Sequence, residues 1–157
     1  MAMSEKNSYF IRTEGPDHDA VKKAFTWLLK NSKAKAFLAI AVIGNLTGVI
    51  GEVLGERIVK VLGKEGRVVI SGIEIILVTK RKIIYDGENS PLLAFYPSSK
   101  YLDELDSIRN VSAMLVVPSA MKDIELWIEA RNASELGVSQ PPPKYPLVSN
   151  KVVEAAL

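Results

Sequence analysis

Two stretches of this chain, "LLAFYPSSKYLDEL" (92–105) and "AMLVVPSAMKDIEL" (113–126), follow the same course twenty-one residues apart. Each takes an uninterrupted apolar run into Pro-Ser and then into residues with helical periodicity. A run without polar alternation does not suit a strand with one face in water. It suits a strand covered on both faces, as in a parallel sheet. Parallel neighbours need a long crossover, and the helix after each run supplies one. Proline ends the strand because it has no N–H to donate. Serine can accept a bond from the first turn of the following helix. Only Pro, Ser, Glu and Leu are identical between the stretches, so they read as two strand-to-helix turns of one α/β sheet rather than as a duplication.

"KAFLAIAVIG" (35–44) is a third run of this kind, and "YFIRT" (9–13) reads as a short strand. Between them, Asp17 can cap a helix over 18–31, where Val21, Ala24, Phe25, Leu28 and Leu29 share one face. "NLTGVIGEVLGERIVKVLG" (45–63) reads as helical, with Gly63 as its stop. "RVVI" (67–70), Ser71-Gly72 and "IEIILVTKRKII" (73–84) read as a hairpin with a two-residue turn. "YDGENSP" (85–91) reads as a turn cluster. The expected fold is therefore a single α/β domain over 1–136. It has a mostly parallel central sheet, helices on both faces and an inserted antiparallel hairpin. Phe37, Ile40, Val42, Leu93, Phe95, Leu115 and Val117 are its expected core. Residues 137–157 carry Pro141-Pro142-Pro143 and read as a Pro-rich linker with a C-terminal tail, either a docking tail or the start of a further element.

Composition narrows the chemistry. The 157 residues contain no Cys and one His, which excludes disulfides, Cys nucleophiles and thiolate metal sites. A formal net charge of +2 is too small to argue for a polyanion such as nucleic acid. No stretch reaches the ~18 continuous apolar residues of a membrane helix. The start "MAMSEKN" has no basic and apolar leader pattern. These features read as a cytoplasmic protein without a membrane partner.

In open parallel sheets, ligands bind beyond the carboxyl ends of the strands. Three loops are expected there: "IGNLTG" (43–48), "YPSSK" (96–100) and "VPSAMK" (117–122). Their backbone N–H groups and hydroxyls favour an anion. The candidate ligand-contacting residues are Gly44, Asn45, Thr47, Gly48, Ser98, Ser99 and Ser119. They are expected to line a site for a small anion, such as a nucleotide, in a regulatory module. No Walker A or dinucleotide motif is present, and no cofactor is named by these residues. The competing explanation for the glycines is tight packing of the helix, and for the serines plain helix capping. Two further classes remain. Glu52 and Glu56, four apart on an expected helix, suit a metal-assisted phosphoester hydrolase. A glycine-rich helix and a Pro-rich tail suit an assembly protein that forms a homo-oligomer. Lys80-Arg81-Lys82 could meet phosphate, but reads first as a charged edge that discourages strand pairing. His18 reads as a lone residue at a helix start.

Overall fold

The computed structural model describes residues 7–14, 17–41, 43–46 and 48–136. The strands are β1 (Asn7–Phe10), β2 (Lys35–Ile40), β3 (Arg67–Ile70), β4 (Ile73–Val78), β5 (Asp86–Phe95), β6 (Arg109–Val117) and β7 (Ser134–Glu135). The helices are α1 (His18–Lys30), α2 (Val49–Leu54), α3 (Glu56–Glu65), α4 (Ser99–Asp106) and α5 (Glu125–Arg131). Short 3₁₀ turns, Ile43–Leu46 and Met121–Asp123, precede α2 and α5. The seven strands form one sheet in the order β3-β4-β2-β5-β6-β1-β7. Each pairing is parallel except β3 with β4.

Register explains why the central strands are apolar throughout. Leu38 lies beside Leu93, and Leu93 beside Leu115. These three side chains join one core with Ile40, Phe95 and Val117, under Val21, Ala24, Phe25 and Leu28 of α1 and Ile50 and Leu62 of α2 and α3. The alternate residues Phe37, Ala39, Leu92, Ala94, Met114 and Val116 join a second core with Tyr101, Leu102 and Leu105 of α4 and Trp127 of α5. A strand alternates its side chains between faces, so a strand covered on both faces has no place for a polar residue in its middle. Of the expected core residues, all but Val42 are buried; Val42 lies outside the described residues. Both tryptophans, Trp27 and Trp127, are buried as well.

Six boundaries differ from the sequence expectation. The apolar run from Lys35 pairs only to Ile40, and the chain then enters a 3₁₀ turn. The expected helix 45–63 is broken at Gly55, whose φ of 95° removes it from the helical range and separates α2 from α3. The helix stops not at Gly63 but at Gly66, a left-handed C-cap whose N–H bonds to the carbonyl of Leu62. The hairpin forms with its two-residue turn, Ser71 and Gly72 both at positive φ, as a type I′ turn requires. Its second strand ends at Val78, and 79–85 cross over β2 to β5. The expected turn cluster 85–91 is instead largely the first half of β5, which pairs irregularly with β6 from Asp86↔Arg109 onward. Its Gly87 is buried against β6: a Cβ there would lie 2.7 Å from Val111 Cγ2 and 2.9 Å from the Asn110 carbonyl. The expected helix after Ser119 is divided into a 3₁₀ turn and α5. The tail 137–157 lies outside the described residues.

Leu115 tests this architecture, because it is fully buried in the strand between β5 and β1. Leu115→Ala should cost about 2–5 kcal/mol in denaturant melts. A loss below about 1 kcal/mol would contradict a doubly covered central strand.

Candidate functional site

Because β1, β2, β4, β5 and β6 run parallel, the turns that follow them share one edge of the sheet. From β2 the chain passes to the α1–α3 face, and from the adjacent β5 to the α4–α5 face. This divergence between neighbouring strands is the topological switch point at which open α/β sheets carry their ligands.

The free N–H groups on this edge are partly satisfied from within the chain. At α1 the Asp17 carboxylate accepts the Ala20 N–H at 3.2 Å and the Thr13 hydroxyl at 2.9 Å. These bonds, the Ala20 one foremost, hold the Asp17 carboxyl below its ordinary value. At α4 the Ser98 hydroxyl oxygen accepts the Tyr101 N–H at 3.1 Å. The buried Tyr101 hydroxyl in turn donates to the Val78 carbonyl at 3.0 Å and fastens α4 to the end of β4. Burial first, and Glu104 second, push the Tyr101 phenol upward. After β6, the Met121 N–H is met at 2.9 Å by the carboxylate of Glu14, from the β1–α1 connection.

The expected site residues therefore separate. Ser98 is a helix cap. Ser99 opens α4 and is exposed. Ser119 is exposed and is not the cap of either following element: Ala120 begins the 3₁₀ turn, Ile124 begins α5, and neither caps with its side chain. Asn45 lies in the 3₁₀ turn and Thr47 lies outside the described residues. The glycines divide as well. Gly48 begins α2 at a φ of 75°. Gly51 is closely packed, since a Cβ there would lie 2.9 Å from the Leu46 carbonyl oxygen. Gly44 is exposed with open space around the position of a Cβ, so packing does not require a glycine there.

Charge on this edge is divided. Lys80, Arg81 and Lys82 are exposed in the β4–β5 connection, and the Lys80 N–H donates to the carbonyl of Ala41, just beyond β2, at 3.2 Å. They are not on an edge strand, which corrects the reading of this run as protection against strand pairing: β4 is covered by β3. The antiparallel β3 starts on the same edge, where the Gly66 carbonyl accepts the Leu77 N–H at 2.9 Å, and brings exposed Lys64 with it. Lys100, in the first turn of α4, is also exposed. Cations thus gather at the ends of β4, β2 and β5. Carboxylates gather around the β1–α1 connection, where Glu14 and Asp17 lie and where Glu52 Oε1 is 2.8 Å from His18 Nε2. His18 is exposed but joined to α2, not alone. Between the two groups stands Tyr96, at a φ of 53° directly after β5. Burial, followed by the negative charge of Asp17, raises its phenol above the ordinary value.

Glu52 and Glu56 do not share a helix face, because the break at Gly55 puts them on α2 and α3. Among the described residues no group of three or more His, Asp or Glu side chains could hold a metal ion. Nor, among these residues, is any helix long and apolar enough to cross a membrane. The sequence signals had no means of announcing Glu14–Met121 or His18–Glu52, contacts made across long stretches of chain. Set against family models, curated proteins and solved structures, the chain matches none.

The Asp17 cap yields a pH test. Asp17→Ala should destabilise the protein by about 0.5–2 kcal/mol at neutral pH. Because the folded carboxyl titrates below its ordinary value of 3.8, the wild-type advantage is complete above that value and lost as pH falls through the lower folded value. Urea melts of both proteins between neutral and strongly acid pH should converge at the acid end. An undiminished difference there would assign the effect to something other than the ionised cap.

Proposed function

We propose that the protein is a binding module for a small phosphate-bearing ligand, held at the strand-end edge between β2 and β5. The observation that carries this reading is the coincidence of two independent features. The switch point lies between β2 and β5, and the exposed run Lys80-Arg81-Lys82 is joined to the end of β2 by the Lys80–Ala41 backbone bond. Phosphate oxygens would meet these cations and Lys100, and Gly44 would allow the β2–α2 turn to approach the ligand closely. Asn45, Thr47, Gly48 and Ser99 belong to the same two turns and are the remaining candidates for contact. Ser98 and Ser119 drop to the margin, the first because its hydroxyl oxygen already caps α4. The carboxylates on the β1 side would repel an anion and so favour the β4 side of the edge. This reading assigns no reaction. The cytoplasmic setting inferred from the sequence suits a nucleotide as the ligand.

A thermal melt with added ligand tests the proposal, since a ligand that binds only the folded state must raise stability. At about ten times Kd the gain is about 1.4 kcal/mol, or roughly 4 °C for a chain of this size. Pyrophosphate or a nucleoside triphosphate at constant ionic strength should produce such a rise. Replacing Lys80, Arg81 and Lys82 by alanine should abolish it, while Lys22→Ala with Lys23→Ala on α1 should not. The proposal fails if no phosphate compound raises the melting temperature, or if the triple variant responds like the wild type.

A further inference from the structure

Among the described residues, the order of strands leaves β3 with one free side. Ile70 and Ile73 flank the two-residue turn and face each other, so they form the hydrogen-bonded pair that such a turn closes. Pairs alternate along an antiparallel ladder. Val68 therefore directs its backbone groups to β4, and Arg67 and Val69 direct theirs outward. The bond from Leu77 N–H to the Gly66 carbonyl follows the same alternation. Val68 and Ile70 pack on the α1–α3 face, so the Val69 side chain stands on the other face, where it is 67% exposed.

Helix α3 packs on β3. Its Val59 is directed at α2, with Cγ2 3.6 Å from where a Cβ on Gly51 would lie. Two residues further on, a helix has turned by about 200°. Val61 thus points away from α2, toward the open edge, and is 38% exposed. Arg57 and Glu65, four residues to either side and also exposed, complete one lateral stripe. The stripe reads Arg-Val-Glu. A two-fold axis through Val61 would set Arg57 against Glu65 of the partner subunit, and valine against valine. The heights agree. Val61 lies about 6 Å before the end of α3 at 1.5 Å per residue, and Val68 about 3 Å into β3. One axis can therefore pass near both. Under it the outward backbone groups of Arg67 would meet those of Val69 of the partner subunit, and the reverse, in antiparallel register.

We propose that this edge is a homodimer interface, in which β3 pairs with β3 of a second copy and the α3 stripes meet in antiparallel fashion. The pairing extends the sheet across both subunits and covers Val61. It is independent of any phosphate site.

Sedimentation or light scattering should give a mass twice the 17.2 kDa of the chain at ~100 µM, with dissociation on dilution. Arg57→Glu would set like charges together and should raise Kd at least about tenfold, whereas Arg57→Glu with Glu65→Arg should restore it to within about threefold. Far-UV circular dichroism of each variant would check that it is folded. A monomer at ~100 µM overturns the proposal. So does a dimer indifferent to Arg57→Glu, or one that the double exchange fails to restore.

Discussion

The structure depends on burial of β2, β5 and β6 on both faces. From Ala36 to Ile40, Leu92 to Phe95 and Met114 to Val117, every side chain is apolar and buried. Such strands need two covering layers, and a layer of helices reaches a sheet through crossovers. Parallel crossovers return the chain to the same edge each time. The hydrophobic requirement thus brings several strand-to-helix turns, with their unpaired N–H groups, to one side of the molecule. The location of the candidate site follows from the core before any particular polar residue is considered.

The edge is then resolved by residues that the core does not dictate. Asp17, Ser98 and Glu14 take up N–H groups at three of the turns. A carboxylate at such a turn is favoured by the same electrostatics that would favour a ligand anion, so an internal carboxylate and an external phosphate compete for equivalent positions. On the β1 side the protein supplies its own negative charge. On the β4 side it supplies lysines and an arginine instead. A uniform ring of turns becomes a polarised edge, and the polarity follows the strand order rather than the chain order.

The sequence was most legible where burial is complete. The apolar runs identified β2, β5 and β6, and Ser71-Gly72 identified the hairpin turn, because side-chain chemistry and backbone demand coincide there. Misread boundaries share a different cause. Gly55 looks like one of several tolerated glycines, and only its positive φ shows that it divides the helix. Residues 86–90 are polar and resemble a turn, yet they pair with β6, and Gly87 is needed because β6 passes so close. Ser98 was readable as a cap since its partner is three residues away. Glu14 was not, since its partner lies more than a hundred residues further along. The basic run at 80–82 was visible as charge but not as part of the candidate edge, because its position depends on β4 lying beside β2, a pairing that local sequence does not encode.

The single antiparallel pair has two consequences that a wholly parallel sheet would lack. A parallel β3 would begin at the opposite edge and carry Lys64 away from Lys80. Reversal at Ser71-Gly72 makes β3 begin where β4 ends, and so concentrates cations on the candidate edge. It also places α3 directly before the outermost strand and antiparallel to it. Helix and strand therefore present their outer sides to the same open border, with Val61 on one and Val69 on the other. A border with unpaired backbone groups invites uncontrolled association unless something limits it. Here the strand is only four residues long and the helix above it carries fixed charges. Short length weakens pairing with unrelated strands, and in the proposed dimer the Arg57-Val61-Glu65 order would favour a copy of itself over a partner of uniform charge. The hairpin that completes the sheet thus sets the sign of the strand-end edge and forms the outer border at which the proposed dimer would meet.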